Sequence, residues 1–439
     1  MNERMKSRSL VVIMSQEEIE KIFLPKLRET AQQFLNIINY FLNKRKRFSK
    51  EFYLAISREA DRVEIFLDGY GARSNKRFFY FGELVASARW ITQAMFSNLH
   101  IVSRIDAYKL GLTPDEEKKF LEDLESNLVL LANSIKVFLS ECIAEAGKIG
   151  IIGELREPEE NILLPEVKER KILPPDFDQK PVEGSRDRVI GLLMKFLEAG
   201  QEIETFARRY ESQDAFTEEN LENFRSAFHR LQSLYDTYLD PAATGPDGES
   251  LRSLRGCISV NLHLLEICRS LIHFHERHTA RLVDFSIEKP QLRLVEFGKI
   301  PKSITDVFFP YVVFFSRRGK ALAENVFRAF NSAPDEYILE TAALIISPYR
   351  IEDFHLRPIM PVTQIAQKYS INTDLYFNRK RYDLKSPLEM AMAIPDIRER
   401  LSQENVRIII RGPRKAMDEI KSFFRETCGA IPEEETIKK

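Results

Sequence analysis

Between residues 15 and 150 the apolar positions follow a helical period. Ile19, Ile22, Phe23, Leu27, Phe34, Ile37, Ile38 and Phe41 fall on one stripe at 3.6 residues per turn. Ser15 precedes them with Glu18 three positions on, a capping box in which the serine oxygen accepts the third amide and the glutamate reaches back. Thr113-Pro114-Asp115-Glu116 repeats the device with Pro at the first helical position, ahead of Phe120, Leu124, Leu128, Leu131, Ile135 and Phe138. The polar stretch from Asp68 to Asn75 breaks the pattern. Its Gly69-x-Gly71 lacks the Gly-Lys-Ser/Thr of a phosphate loop and reads as a turn between helices. Phe78 to Phe81 and Trp90 read as core.

Residues 153–185 interrupt this order. Pro158, Pro165, Pro174, Pro175 and Pro181 sit among charges, a linker composition. Helical spacing returns in 186–330. Thr217 caps a helix bearing Leu221, Phe224, Phe228, Leu231, Leu234 and Tyr235, and Asp240 to Glu249 forms a loop. A further helix carries Leu254, Cys257, Val260, Leu264, Ile267 and Leu271. Val307 to Phe315 fits a buried strand as well as a helix segment; Gly319 to Phe330 fits a helix.

The pattern changes again near 337. Ala342 to Ile346 and Val406 to Ile410 read as strands, and Leu375-Tyr376-Phe377 and Arg381 to Leu384 flank Asn378-Arg379-Lys380 as a hairpin. A helical pattern follows His355, another follows Ser386, and a last one carries Met417, Ile420, Phe423 and Phe424 and ends near Gly429. Strand, helix, strand, strand, helix, strand, helix gives an antiparallel sheet with helices on one face. The chain is therefore expected to be multidomain: a mainly α-helical N-terminal region, divided as 1–152 and 186–330 around the linker 153–185, plus an α+β unit over 337–428.

Composition narrows the partners. Hydrophobic residues make up 44% and charged residues 30%, with a formal net charge of -1, so no overall field draws nucleic acid or an anionic membrane. Lys44 to Arg47 reads as a helix end. The four cysteines, Cys142, Cys257, Cys268 and Cys428, form no CxxC pair; a reducing compartment, the cytoplasm, is expected. Val307 to Phe315 is too short to span a bilayer, and no membrane insertion is expected. In the run from Ile272 to His278, His273 and His275 point apart on an α-helix, while His275 and His278 share a face. The run reads as a surface or helix-end cluster, with no metal and no cofactor assigned.

The chemistry concentrates at Phe354-His355-Leu356-Arg357-Pro358. His355 falls at a helix N-terminus, where free amides favour an anion. Arg357 is a permanent cation, and Pro358 sits in the first turn, where its missing N–H costs nothing. A nucleophile, a cation and an anion-binding helix end are what a transiently phosphorylated histidine needs. The stretch resembles the Leu-His-x-Arg-Pro signature of HPr, the histidine phosphocarrier of the bacterial sugar phosphotransferase system. Leu384-Lys385-Ser386, with its serine 31 positions after the histidine, resembles the family's Lys-Ser at the start of its second helix. The likeness covers about residues 337 to 427.

The resemblance implies an open-faced sandwich in which His355 accepts phosphate from an enzyme I-type, phosphoenolpyruvate-dependent donor. Arg357 steadies the phosphate, and Leu356, Ile359, Met360, Met390 and Met392 supply a docking face. It also implies Ser386 as a regulatory phosphorylation site, although Ser386-Pro387-Leu388-Glu389 is explained as a capping box alone. Three features depart from the family. Asp353 replaces a usual Gly, Pro361 sits where a regular helix would lose about 3 kcal/mol, and a long connection, Ile394 to Glu404, follows the second helix. Two other readings stand beside a phosphocarrier read out through its helices. One is a non-catalytic interaction protein using a degenerate domain as a docking module. The other is a helical enzyme regulated by that domain.

Overall fold

Helix starts where the capping residues put it. In the computed structural model, which describes residues 12–44, 47–158, 185–209, 216–238, 248–329, 339–369, 373–378 and 380–433, Ser15 Oγ accepts the Glu18 amide at 3.2 Å and Glu18 accepts the Ser15 amide at 2.7 Å. Thr113 and Glu116 exchange the same pair of bonds at 3.3 and 2.8 Å. Thr217 accepts the Asn220 amide at 3.2 Å. Helix α1 (Gln16–Glu18) runs through a π-helical turn into α2 (Leu24–Asn43). There follow α3 (Lys50–Gly69), α4 (Phe79–Tyr108), α5 (Pro114–Ile149), α6 (Ser185–Arg209), α7 (Glu218–Tyr238) and α8 (Gly248–Phe274). Two short helices, α9 (Ala280–Phe285) and α10 (Lys299–Ser303), lead to α11 (Phe309–Ala329). Gly71, in the left-handed region at φ 69°, makes the turn expected after α3.

Helices α4 and α8 are the centre of this body. α4 packs on α3, α5 and α8, and α8 also takes α7 and α11. Both are buried on more than one face, which fits helices apolar around their circumference. Two glycines set how closely neighbours approach. A Cβ on Gly256 would overlap the Tyr108 carbonyl, and one on Gly319 would overlap the Phe196 ring.

Residues on both sides of 153–185 enter one hydrophobic core, from Phe23 to Phe327. The boundaries expected at 152 and 186 fall inside it. Proline-rich composition reports local backbone, not whether the chain returns to the same core. Most of the expected linker, and residues 239–247 of the expected loop, lie outside the described residues. Val307 to Phe315 is helical, a π-helical turn Ile304–Phe308 continuing into α11. Among the described residues one helix, α5, is long and apolar enough to cross a membrane by length and composition; 44% of its most apolar stretch is buried inside the fold.

A second core gathers residues from Leu344 to Ala430. Strand β1 (Leu339–Ile346) leads through a 3-10 turn (Pro348–Asp353) to α12 (Leu356–Ile359) and α13 (Pro361–Gln367). Then come β2 (Asp374–Phe377), β3 (Lys380–Asp383), α14 (Pro387–Leu401), β4 (Val406–Pro413), α15 (Arg414–Cys428) and β5 (Ile431–Pro432). The strands form one antiparallel sheet in the order β3-β2-β4-β1-β5. Ala343 faces Ile409 and Tyr376 faces Arg381 across the ladders. Leu344, Ile346, Ile408 and Ile410 point into the core under α14 and α15, while Thr341, Arg407 and Arg411 on the alternate positions are exposed. Gly429, at φ 63°, ends α15.

Two prolines shape the helices of this unit. Pro361 starts a new helix directly after α12, and the Thr363 hydroxyl donates to the Met360 carbonyl at 2.7 Å. Pro395 lies inside α14, which runs to Leu401. The long connection expected over Ile394 to Glu404 is therefore mostly helix. The apolar spacing of Met390, Ala393, Ile397 and Leu401, all fully buried, continues past the proline and outweighs the lost bond.

Candidate functional site

The strand-to-helix junction exposes His355. Phe354 is fully buried, and its amide donates to the Ile351 carbonyl at 3.1 Å, which pins the end of the 3-10 turn. His355 is extended (φ -143°, ψ 175°), so its ring points the other way, into solvent. It is the N-cap residue of α12, and its carbonyl accepts the Ile359 amide at 3.2 Å. Its side chain makes no cap bond. Leu356 and Arg357 open the helix with amides that have no partner in the preceding turn; Pro358 brings none. Arg357 is exposed and has no hydrogen bond or ion pair among the described residues. The Asp353 carboxylate is held by Arg350 at 3.0 Å, which offsets the acidic charge two residues before the histidine.

The expected docking face is smaller than the sequence suggested. Leu356 is 48% exposed, Met392 is 61% exposed and Met360 is half-buried. Ile359 and Met390 are fully buried in the core and cannot touch a partner. Helical spacing explains both: Ile359 shares a face with Val362 and Ala366, and Met390 shares one with Ala393 and Ile397.

Ser386 acts as a helix cap. Its Oγ accepts the Glu389 amide at 3.2 Å. The capping box is only half made, because the Glu389 carboxylate takes the Asp383 amide at 2.7 Å instead. Gln367, at the end of α13, donates to the Lys385 carbonyl at 2.8 Å, tying the start of α14 to that helix. The other end of α14 approaches the turn before His355, where Arg398 lies 3.9 Å from Glu352. No hydrogen bond or ion pair among the described residues joins Ser386 to His355.

The histidine run lies at the end of α8, as expected, with Glu276 and Arg277 exposed, but His278 turns inward and is buried. Residues His275–Thr279 form a π-helical turn, in which positions five apart share a face, so the His273 and His278 rings come to 5.8 Å. Each meets its own carboxylate: His273 Nδ1 lies 2.9 Å from Glu218, and buried His278 Nδ1 lies 2.9 Å from Glu83. Burial pushes the Glu83 carboxyl up, but His278 and Arg281 outweigh it and leave it below the ordinary range. Among the described residues no group of three or more His, Cys, Asp or Glu side chains could hold a metal ion.

Sequence reading missed one further feature. Trp90, assigned to the core by its residue type alone, lines a cleft of about 220 Å³ with Arg89, Arg225 and Arg269. These come from three helices far apart in the chain, and no local spacing announces them.

Comparison of the chain with models of known protein families, with curated proteins and with solved structures found no match.

Proposed function

We propose that the C-terminal unit is a phosphocarrier of the HPr type, with His355 as the phosphoryl acceptor. The observation that carries this reading is the pairing of an exposed, unbonded imidazole with an exposed guanidinium two residues on that has no partner among the described residues. An arginine without a structural role beside a nucleophile is available for charge that arrives later. In the transfer a ring nitrogen of His355 bonds the donor's phosphorus while the bond from phosphorus to the donor breaks. The acceptor protein reverses the step. The dianion formed on His355 gains a charge-assisted hydrogen bond from Arg357. On this reading exposed Leu356 and Met392 supply apolar contacts for an enzyme I-type donor. The chain then works in the cytoplasm beside its donor, and the helical body passes the phosphorylation state to an effector.

The test is incubation of the full chain with phosphoenolpyruvate and the enzyme I of the same organism, followed by phosphosite mapping. The expected result is acid-labile phosphate on His355, lost in His355→Ala. Arg357→Ala should leave the melting temperature nearly unchanged while slowing labelling or shortening the lifetime of the phosphohistidine. If His355 stays unlabelled where an authentic HPr is labelled, the unit is a docking module without transfer.

A further inference from the structure

The cleft in the helical body is built around donors. Ser57 of α3, Arg89 and Trp90 of α4, Arg225 of α7 and Arg269 of α8 converge on it. Trp90 is stacked on His273, with ring centroids 3.8 Å apart, and the Arg89 and Arg269 guanidiniums lie 4.5 and 5.3 Å from its centroid. The indole is 8% exposed, and its Nε1–H finds no acceptor among the described residues. A buried donor left in that state is costly unless something accepts from it.

The three guanidiniums are held from outside the cleft. Arg89 donates to Asp61 at 2.7 Å and lies 2.7 Å from Glu64. Arg225 grips Glu222 through two bonds, at 2.6 and 2.9 Å. Arg269 lies 2.8 Å from Glu222 and 3.6 Å from Glu218. None of these four carboxylates lines the cleft. They fix the guanidinium planes and leave further N–H groups of each arginine, which carries five, without a partner. The one lining carboxylate, Glu266, is already engaged by His263 at 2.9 Å and Ser97 at 3.3 Å. The lining therefore carries three cations to one anion, with a neutral buried donor beside them.

We propose that this cleft binds a small phosphate-bearing metabolite. Three arginines arranged around one small space suit a tetrahedral dianion with acceptors on several sides better than a single carboxylate, which one fork satisfies, and the buried Trp90 N–H beside them lacks an acceptor among the described residues. The volume admits a compact metabolite and excludes a dinucleotide, since pockets for larger ligands run from about 300 Å³ upward. The site is independent of His355 and does not rest on the phosphocarrier reading.

Calorimetric titration of the full chain with inorganic phosphate and with pyrophosphate tests it, with malonate as a dicarboxylate dianion and His355→Ala as the control for the other site. Saturable binding of either phosphate probe is expected, unchanged in His355→Ala. Affinity should fall about tenfold or more in Arg225→Gln and in Arg269→Gln, the loss expected for one charge-assisted bond. Trp90→Phe keeps an aromatic ring but removes the N–H together with part of the indole, so weaker binding with a cooperative melt retained is expected even if an arginine variant fails to fold. The proposal is overturned by the absence of saturable binding, by equal affinity in Trp90→Phe and the arginine variants, or by malonate binding as tightly as phosphate.

Discussion

At the scale of single residues, the alternation of Phe354 and His355 was legible. A large apolar residue and a histidine side by side at a strand-to-helix junction have to point opposite ways, and they do. The fate of Ile359 and Met390 was readable too, had the helical period been applied to them rather than the resemblance. That Trp90 is core was legible and holds, but its place beside a cleft was not, because the rest of that lining comes from α3, α7 and α8 as well as α4. Another residue out of reach is His100, which accepts a contact from the Lys50 ammonium at 3.2 Å and lies beside the His263 ring. Burial, then His263, Lys50 and Arg104, lower its pKa from 6.5 to about 3, against a smaller opposing pull from Glu266. The unfolded chain thus binds a proton there that the folded chain refuses. Stability from this group is present above about pH 6.5 and is lost as pH falls toward 3. Glu64, whose carboxyl burial pushes up despite Arg89, works in the opposite sense. The informative quantity is therefore a difference. The drop in melting temperature from about pH 7 to about pH 5 should be smaller in His100→Gln, which keeps an acceptor for Lys50 and cannot titrate. Equal drops in both proteins would exclude His100 as a source of acid sensitivity.

At the scale of elements, the capping residues announced where helices begin and the prolines misled about where they end. Pro361 and Pro395 each remove one backbone bond, but only Pro361 separates two helices. Around Pro395 the buried side chains on both sides keep the helix running. The π-helical turn at His275–Thr279 was invisible to a period of 3.6, which pairs His275 with His278 rather than His273 with His278. Close approach of helices was equally hidden, since a glycine in a helix looks like a weakness until its neighbour is known. Gly256 and Gly191 separate the two cases. At Gly256 a methyl group meets the Tyr108 backbone, which cannot rotate away, so Gly256→Ala should cost about 3 kcal/mol as α4 and α8 are forced apart. At Gly191, inside α6, nothing lies within 4 Å of the added carbon. Gly191→Ala should stabilise by about 0.5–1 kcal/mol through helix propensity. Denaturant unfolding of the two variants would show the opposite signs; a shared sign would mean that α4 and α8 can shift at little cost.

At the scale of the whole molecule, the division into a helical region and an α+β unit was legible because the hydrophobic period changes from helical to alternating near residue 337. That the helical region is one body was not, since its unity depends on α4 meeting α8, about 170 residues later in the chain. The separate core from Leu344 to Ala430 predicts independent folding. A fragment from about Asp335 to Glu433 should give a single cooperative melt, and a molten fragment would mean that the unit borrows stability from the helices.

Where that fragment stops matters. Strand β1 has β4 along one side; among the described residues its other side is paired only at Leu344 and Ile345, by the two residues of β5. Arg407 holds this cover in place by gripping Glu433 at 2.8 to 2.9 Å. A bare strand edge is a template for any other extended chain, and a proline in the covering strand cannot extend the ladder outward with an N–H of its own. The tail after Gly429 is therefore expected to guard against self-association. A fragment ending at Ala430 should grow in apparent size with concentration by light scattering while one ending at Glu433 does not, which would tie the protein's colloidal behaviour to three residues outside the core.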